Sequence, residues 1–367
     1  MTRPVRARID LDALTHNLSL ARAAAAASRI MAVIKADAYG HGAVRVARAL
    51  SQADAFAVAS LEEALQLREA GIRQPIVLLD GVFHPDELEQ AVTHQLQLVV
   101  HCEEQVVWLE RFRSGAALGL WLKVNTGMNR LGFDPADATT VWQRLQRLPY
   151  MKTGELRWMS HLACADEVKN PVNDAQLEAF NEVTGFSARL QGRLAERSMA
   201  NSAALLTRTD MHFDWVRPGI MLYGVSPMLP GEPLSVQLRP AMTFESQLMA
   251  VHSRCKGDAV GYGMGWTCPE DMPLGIVAAG YGDGYPRRAP NGTPVLVNGT
   301  LAPLVSRVSM DMICVDLRGQ PHARPGDPVQ LWGRGLPVEE IAERTGTIGY
   351  ELLCGVTARV PRVYGNG

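Results

Sequence analysis

A lysine closes one of the most apolar segments near the start of the sequence. The segment Ile30–Ile34 reads Ile-Met-Ala-Val-Ile, and Lys35 follows it directly. An amine at the edge of a desolvated site loses its proton more easily, and the neutral amine can form a Schiff base with an aldehyde. For a lysine taken alone, the simpler interpretation is a side chain that extends past the core into water. Lys35 is therefore a candidate nucleophile whose role depends on its neighbours.

Other polar residues follow apolar segments in the same half of the chain. They are Lys123, Asn125, His161, Asn201, Ser202 and Arg217, the last followed by Pro218, Gly219 and Ile220. The Asn201-Ser202 pair can hydrogen-bond an anion through amide and hydroxyl groups, and the backbone N–H groups of Gly219-Ile220 can do the same. None of these groups is specific alone. A Schiff-base lysine, an arginine and a phosphate cradle together suggest pyridoxal phosphate as the cofactor.

The segments that must position these residues alternate between strand and helix patterns. Strands are predicted at Ile30–Ile34, Ala55–Ala59, Pro75–Leu79, Leu96–Val100, Leu118–Val124, Leu156–Ser160, Arg197–Ala200 and Phe213–Val216. Helices are predicted between them, among others at Leu11–Ala27, Leu61–Ala70, Glu103–Arg113 and Ala175–Leu194. This alternation predicts parallel strands joined by helices. Eight such strands favour a closed (β/α)8 barrel, in which the active site lies at the carboxyl ends of the strands. An open, doubly wound sheet is the alternative.

The second part of the chain has a different pattern. Glycine, proline and β-forming residues recur, with strands predicted at Met242–Val251, Leu274–Ala278, Val295–Val297, Met312–Leu317 and Val329–Trp332. The segment Val225–Leu234 carries several prolines and a glycine and is the expected linker. We therefore expect an α/β barrel over residues 1–230 and a mostly β domain over residues 231–367.

Composition limits the possible partners. Of 367 residues, 47% are hydrophobic and 20% charged, and the net charge of −2 does not favour nucleic acid or an anionic membrane surface. No apolar run reaches the ~18 residues that a membrane span needs. The six cysteines are scattered and the histidines dispersed, so no metal site is expected. These features predict a cytoplasmic protein that acts on a small molecule.

Nine short motifs occur in one order along the chain. They are Ala32–Gly42, Lys123–Phe133, Ser160–Asp166, Ala200–Ala204, Val216–Gly224, Gly261–Gly263, Gly280–Tyr285, Ser309–Asp311 and Gly349–Glu351. With these motifs the sequence resembles the alanine racemases, fold-type III pyridoxal-phosphate enzymes, along nearly its whole length. The architecture of that family, a barrel followed by a β domain, agrees with the division predicted from the residue patterns.

The resemblance implies a role for each matched residue. Lys35 would carry the cofactor and act as one base, and Tyr262 would act as the second base, reaching the site from a partner subunit. Arg217 would face the pyridine nitrogen and Arg130 the phenolic oxygen and the substrate, with His161 near the ring. The remaining cofactor contacts would come from Tyr39, Asn201, Ser202, Gly219, Ile220 and Tyr350. Substrate contacts would come from Met310, Asp311 and Tyr281, with Arg287 and Asp166 further out along the entrance.

Two further expectations follow from the resemblance. The functional unit would be a homodimer, because Tyr262, Met310 and Asp311 would complete the partner's site. Lys123 would be carbamylated, and the resulting anion would hold Arg130. The sequence departs from the family at Asn125, where an acid is common. The product D-alanine would supply peptidoglycan, or alanine would be degraded.

Two other functions stay open at this point. One is a broader-spectrum amino-acid racemase or a decarboxylase of the same architecture, although Tyr262 and Arg217 argue against a decarboxylase. The other is a pyridoxal-phosphate-binding protein without activity, which the C-terminal domain argues against. Asp37 and His41 are predicted to be turn and capping residues, not catalysts.

Overall fold

The first part of the chain alternates strands and helices. The computed structural model describes residues 3–113, 115–151, 155–191, 194–232 and 236–365. In chain order the elements are β1 (Arg6–Asp10), α1 (Leu11–Ala24), β2 (Arg29–Val33), α2 (Lys35–Gly40), α3 (Ala43–Ala49), β3 (Ala55–Val58), α4 (Leu61–Glu69), β4 (Ile76–Leu78), α5 (Glu87–Thr93), β5 (Leu96–Val100), α6 (Glu103–Arg111), β6 (Gly119–Lys123), α7 (Pro135–Gln146), β7 (Leu156–Met159), α8 (Val172–Gln191), β8 (Arg197–Ser198), α9 (Ser202–Thr207) and β9 (Trp215–Val216).

Strands β2 to β9 form a closed parallel barrel, which confirms the predicted fold class and excludes the open sheet. The barrel closes where β9 pairs with β2, with Arg29 opposite Trp215 and Ile30 opposite Val216. Most residues of these strands are apolar on both faces of the sheet, because one face fills the barrel and the other packs under the helices. All four residues of β3 are buried, for example.

The remaining elements form the second part of the chain. They are β10 (Met242–Arg254), β11 (Ala259–Val260), β12 (Trp266–Thr267), β13 (Met272–Val277), β14 (Pro294–Val297), β15 (Thr300–Val305), β16 (Ile313–Asp316), β17 (Pro328–Trp332), α10 (Val338–Thr345), α11 (Gly349–Cys354) and β18 (Arg362–Gly365). The predicted mostly β character is confirmed. Two helices and the strands β11, β12, β15 and β18 were not predicted. The end of the predicted linker, Pro233 and Leu234, lies outside the described residues.

The N-terminal strand is not part of the barrel. Strand β1 belongs to the eight-stranded sheet of the C-terminal part, whose order is β13-β16-β15-β14-β17-β10-β1-β18. It pairs antiparallel with β10 and parallel with β18. Alternate residues of β1 are buried, since Ala7 and Ile9 fill the sheet's core while Arg6 and Arg8 bind Glu245. The chain therefore begins in the second sheet and enters the barrel through α1.

The two parts of the molecule meet beside Lys35. Helix α11 packs against α2, so that a Cβ on Gly40 would lie 2.3 Å from the carbonyl oxygen of Leu353. The Arg362 Nε donates to the Gly40 carbonyl oxygen at 3.1 Å. The C-terminal part thus covers one side of the barrel's carboxyl end. Among the described residues, no helix combines the length and the hydropathy that crossing a membrane requires.

Candidate active site

Barrel topology brings the predicted polar residues to one end. Lys35 follows β2, Lys123 ends β6, His161 lies two residues after β7, Ser202 begins α9 after β8, and Arg217 follows β9. All five residues lie at the carboxyl ends of parallel strands. The loops at this end of a barrel surround one common opening, which we call the mouth. Side chains that are up to 182 positions apart in sequence (Lys35 and Arg217) therefore share one site.

Lys35 opens a left-handed turn. The four residues Ala36, Asp37, Ala38 and Tyr39 all have φ between 51° and 53°. Each such residue other than glycine costs roughly 1–2 kcal/mol relative to the right-handed form, and strain of this kind concentrates at functional sites. Hydrogen bonds hold the turn: the Ala43 N–H donates to Asp37 Oδ1 at 2.8 Å, and His41 Nδ1 contacts the Tyr39 carbonyl oxygen at 2.9 Å. The predicted turn and capping roles of Asp37 and His41 are confirmed.

The guanidinium of Arg217 is buried and fixed by hydrogen bonds. Its Nη1 donates to Ser198 Oγ at 2.6 Å, and its Nη2 donates to the Ser160 and Met199 carbonyl oxygens at 2.6 and 3.2 Å. The same Nη2 lies 3.2 Å from His161 Nδ1. An arginine can only donate, so Nδ1 accepts and the neutral imidazole carries its proton on Nε2.

The mouth of the barrel is electropositive. Burial, together with the positive charges of Arg217, Arg130 and Lys35, lowers the pKa of Lys123 to about 8, although the charge of Asp80 acts in the opposite direction. Burial and the same cations hold the pKa of His161 well below its usual value. Both groups therefore lie within electrostatic reach of Lys35. A site of this charge suits an anionic ligand.

A small polar cradle forms beside the mouth. The N–H groups of Gly219 and Met221 donate to Ser202 Oγ at 2.8 and 3.4 Å. A Cβ placed on Gly219 would lie 2.7 Å from the Tyr39 hydroxyl oxygen, so the glycine leaves this space open. Asn201 is beside the cradle, but its side chain caps α9 by accepting the Ala204 N–H at 3.1 Å.

Three tyrosine rings line the far side of the cradle. The Tyr39 ring lies 4.7 Å from that of Tyr223 and 6.0 Å from that of Tyr350, measured between ring centroids. Tyr350 comes from α11 in the C-terminal part. Burial raises the pKa of Tyr350 to about 12, and the charge of Asp166 acts in the same direction. Tyr350 is therefore a neutral hydrogen-bond donor near neutral pH.

The predicted residues of the C-terminal sheet form a second group. The Tyr281 and Gly282 N–H groups donate to the carbonyl oxygens of Ser309 and Met310, which places Tyr281 beside Met310 and Asp311. The turn carrying Tyr262 packs on Ser306 and Arg307, just before that loop. Tyr262 is 69% exposed and Met310 52% exposed. Among the described residues, no hydrogen bond or ring contact connects Tyr262 to the barrel mouth of its own chain.

Two arginines lock this second group in place. Arg3 makes two hydrogen bonds to the fully buried carboxylate of Asp283, at 2.8 and 3.0 Å. Arg359 binds Asp283 through Nε at 2.7 Å and Asp311 through Nη2 at 2.6 Å. Burial acts to raise the pKa of Asp283, but the two arginines and the Gly280 N–H lower it. The carboxylate therefore stays charged and fixes the Tyr281 turn against the Asp311 loop.

Several residues that position the site were not predicted. Gln176 donates to the His161 carbonyl oxygen at 3.0 Å and accepts the Ala163 N–H at 2.9 Å, which fixes the loop after β7. Glu63 accepts the Ala36 N–H at 2.6 Å. Its signal in the sequence is the Ser60-x-x-Glu63 pattern at a helix start. Arg359 and Gln176 had no local signal, because their partners lie 48 and 15 residues away.

Asn125 stabilises the turn that follows β6. Its Oδ1 accepts the N–H groups of Gly127 and Asn129 at 3.2 and 2.9 Å, and its Nδ2 donates to Asp134 at 3.0 Å. The turn carries Arg130, which is exposed at the mouth. Asn125 thus holds the backbone between Lys123 and Arg130.

Both the sequence and the structure of this chain are similar to those of one family of known proteins. Residues 9–227 match the family model for the alanine racemase N-terminal domain, and residues 241–364 match that for the C-terminal domain. Alanine racemase from Nitrosococcus oceani is 53% identical over 97% of this chain and 98% of its own length, and that from Nitrosospira multiformis is 49% identical over 99% and 100%. The crystal structure of biosynthetic alanine racemase from Pseudomonas aeruginosa superposes with a TM-score of 0.93 at 46% identity, over 99% of this chain and all of that one. The chain therefore belongs to the alanine racemase family of amino-acid isomerases.

Proposed function

We propose that this enzyme interconverts L-alanine and D-alanine with pyridoxal phosphate held at the barrel mouth, Lys35 and Tyr262 serving as bases on opposite faces of the substrate. The observation that carries the proposal is the position of Lys35. It lies at the carboxyl end of β2, in a strained turn, within electrostatic reach of Lys123 and His161. A lysine amine at this position can attach covalently to the aldehyde group of the cofactor.

The cradle fits the phosphate group of this cofactor. The Ile220 N–H has no hydrogen-bond partner among the described residues. Ser202 Oγ accepts N–H groups from the backbone, which leaves its own proton free to donate. The Tyr39 hydroxyl points to the same space, which a side chain at residue 219 would fill. Tyr350 completes the set from the C-terminal part.

Arg217 fits the pyridine nitrogen. Its Nε–H makes no hydrogen bond to the described residues, while its two Nη atoms are held by Ser198, Ser160 and Met199. Arginine keeps its proton, so it donates a hydrogen bond to a ring nitrogen without protonating it. When bound, the cofactor supplies an electron sink for the charge that develops at the α-carbon.

Two bases account for inversion. One group must remove the proton from one face and another must return a proton to the other face, each within about 3 Å of the carbon. Lys35 is on the cofactor's side of the mouth. Tyr262 is exposed and makes no hydrogen bond or ring contact to the barrel mouth among the described residues, so we propose that it enters the mouth of a partner subunit together with Met310 and Asp311. The Nε2–H of His161, fixed by Arg217, would then stabilise the phenolate of Tyr262.

The substrate contacts follow from the same arrangement. We assign Arg130 at the mouth to the substrate carboxylate or the cofactor's phenolic oxygen, and Tyr281 with Met310 and Asp311 to the wall around a small side chain. Arg287 and Asp166 would line the entrance further out. The six free cysteines fit a reducing, cytoplasmic compartment. The D-alanine would serve peptidoglycan synthesis, or the same reaction in the reverse direction would serve the breakdown of D-alanine.

Chiral chromatography of a panel of L-amino acids tests the proposal. Each amino acid is incubated with the purified holoenzyme, and the D-isomer is quantified over time. We expect D-alanine to appear fastest, and Lys35→Ala and Tyr262→Phe to reduce the rate at least ~10³-fold, as loss of a catalytic base does. Similar rates for many amino acids would indicate a broad-spectrum racemase. A protein that binds the cofactor but racemises none of them would be a binding protein.

A further inference from the structure

The left-handed turn after Lys35 needs support at its start. Within the turn, the Gly42 N–H donates to the Asp37 carbonyl oxygen at 2.9 Å, and His41 holds the Tyr39 carbonyl oxygen. These contacts fix the later part of the turn. The first N–H of the turn, that of Ala36, has a different partner: it donates to Glu63 Oε1 at 2.6 Å.

Glu63 connects the carboxyl ends of two neighbouring barrel strands. Its second oxygen, Oε2, accepts the Ala59 N–H at 2.7 Å, just after β3. Glu63 lies in the first turn of α4, three residues after Ser60, where a glutamate ordinarily binds the N–H of the residue before the helix. Here the carboxylate binds Ala36 and Ala59 instead. The helix thereby fixes the end of β2 relative to the end of β3.

The hydrogen bond to Ala36 orients Lys35. The peptide group between Lys35 and Ala36 is planar, so fixing the Ala36 N–H fixes the ψ angle of Lys35 and the direction of its Cα–Cβ bond. A carboxylate acceptor makes this bond about twice as strong as a neutral one. The Lys35 amine lies at the end of a flexible side chain. A displacement of the Lys35 Cα therefore moves the amine by a comparable distance.

We propose that Glu63 is a positioning residue that holds Lys35 in line with the α-proton it transfers. This inference rests on the proposed function, in which Lys35 carries the cofactor and is the base on one face. Glu63 touches neither substrate nor cofactor, and it acts through the Lys35–Ala36 peptide. Since a misplacement of about 1 Å can cost on the order of 10²-fold in rate, loss of Glu63 should slow the proton transfer and change the substrate affinity little.

The test compares Glu63→Ala and Glu63→Gln with the matched control Glu62→Ala in the holoenzyme. Glu62 is the neighbouring glutamate in the same helical turn and is exposed. For Glu63→Ala we expect kcat to fall ~10- to 100-fold with KM changed less than about threefold. Glu63→Gln, which keeps one acceptor oxygen, should recover part of the loss. Glu62→Ala should behave as wild type.

Two readouts separate positioning from damage to the fold. The α-deuterium isotope effect should rise in Glu63→Ala in the one direction of racemisation in which Lys35 removes the proton, and stay unchanged in the other. The absorption maximum of the bound cofactor, and its dependence on pH, should shift because the environment of the Lys35 nitrogen changes. Loss of stability alone would alter neither.

Three outcomes would overturn the proposal. The first is a Glu63→Ala enzyme that matches Glu62→Ala in kcat, isotope effects and cofactor spectrum. The second is a loss of kcat with both isotope effects and the spectrum unchanged; if the alanine variant does not fold, Glu63→Gln is judged by the same criteria. In the third, the wild-type enzyme and Glu62→Ala neither racemise alanine nor hold the cofactor on Lys35. That result would reject the proposed function itself.

Discussion

At the scale of single residues, burial and charge set the ionisation of each group in the mouth. Lys35, Lys123, Arg130 and Arg217 bring four basic side chains to one end of the barrel, and no acid binds them by an ion pair among the described residues. Burial, together with repulsion from these cations, depresses the pKa values of Lys123 and His161. The site therefore suits anionic groups, and the half-buried amine of Lys123 is reactive because a fraction of it is neutral.

Carbamylation of Lys123 is the prediction at this scale. Only the neutral amine reacts with carbon dioxide, and with a pKa of about 8 a useful fraction of Lys123 is neutral near neutral pH. The resulting anion would replace repulsion from Arg130 and Arg217 by attraction. We expect intact-protein mass spectrometry under mild conditions to show one added carbon dioxide, with occupancy that rises with bicarbonate and as the pH rises through about 8.

Two lysine variants serve as the test and the control for carbamylation. Lys123→Ala should lose the adduct, while Lys256→Ala, at a surface lysine of the C-terminal sheet, should keep it. An unmodified mass in saturating bicarbonate at about pH 8 would contradict the prediction.

At the scale of elements, the two ends of the barrel have separate tasks. The carboxyl ends hold the site, with the strained turn after β2. The opposite end contains Glu196, which accepts hydrogen bonds from Arg157 Nε at 2.8 Å and Trp215 Nε1 at 3.0 Å and is paired with Arg29. These partners lie on β7, β9 and β2, so one carboxylate connects strands on both sides of the place where the barrel closes.

Glu196→Gln should destabilise the protein in a pH-dependent way. Partial burial acts to raise the pKa of Glu196, but hydrogen bonds from Trp215, Arg29 and Arg157 lower it from 4.5 to about 2. A depressed pKa means that the stabilisation is present above pH 4.5 and is lost as the pH falls toward 2. We expect about 1–2 kcal/mol lower stability for the variant at neutral pH, discounted for partial exposure.

The measurement is the unfolding free energy of wild type and variant from urea titrations at several pH values. The difference between them should be constant near neutral pH and shrink below about pH 4.5. Glu155→Gln is the matched control, since the Glu155 carboxylate pairs with Arg157 at the longer distance of 3.4 Å and its loss should change stability little. A difference that grows as the pH falls would contradict the assignment.

At the scale of the whole molecule, the residues of the proposed site form two groups, and no hydrogen bond or ring contact joins Tyr262 to the barrel mouth among the described residues. The mouth of the barrel contains Lys35, and the exposed turn of the C-terminal sheet contains Tyr262, beside the loop of Met310 and Asp311. The Asp283, Arg3 and Arg359 network fixes the neighbouring Tyr281 turn against the Asp311 loop, and Met310 in this loop is 52% exposed. A rigid but exposed apolar group is typical of a subunit interface.

Mixing two inactive variants tests the shared site. Lys35→Ala and Tyr262→Phe should each be inactive alone. If each site of the dimer combines Lys35 of one subunit with Tyr262 of the other, every heterodimer has one site with both defects and one intact site. An equal mixture that has exchanged subunits should therefore recover about a quarter of wild-type activity. Native mass spectrometry would confirm that heterodimers are present. Heterodimers without activity would show that Lys35 and Tyr262 of different subunits do not form one site.

The sequence alone determined the features that depend on local pattern. Apolar runs bounded by turns located the eight barrel strands, and short motifs located Lys35, Lys123, His161, Ser202 and Arg217, because each lies directly after such a run. Neither kind of inference needs to know which distant segments meet. The same reasoning placed Asp37 and His41 in a turn.

Only the tertiary structure decided what depends on distant contacts. Strand β1 joined the C-terminal sheet because its buried residues pack there and its partners are β10 and β18, more than 230 residues away. Three other features also depend on the tertiary structure. They are the left-handed turn, the hydrogen bond from the Ala36 N–H to Glu63, and the pairing of Arg359 with Asp283 and Asp311. In each case the decisive partner is set by how strands and helices pack, and local residue patterns carry no record of that packing.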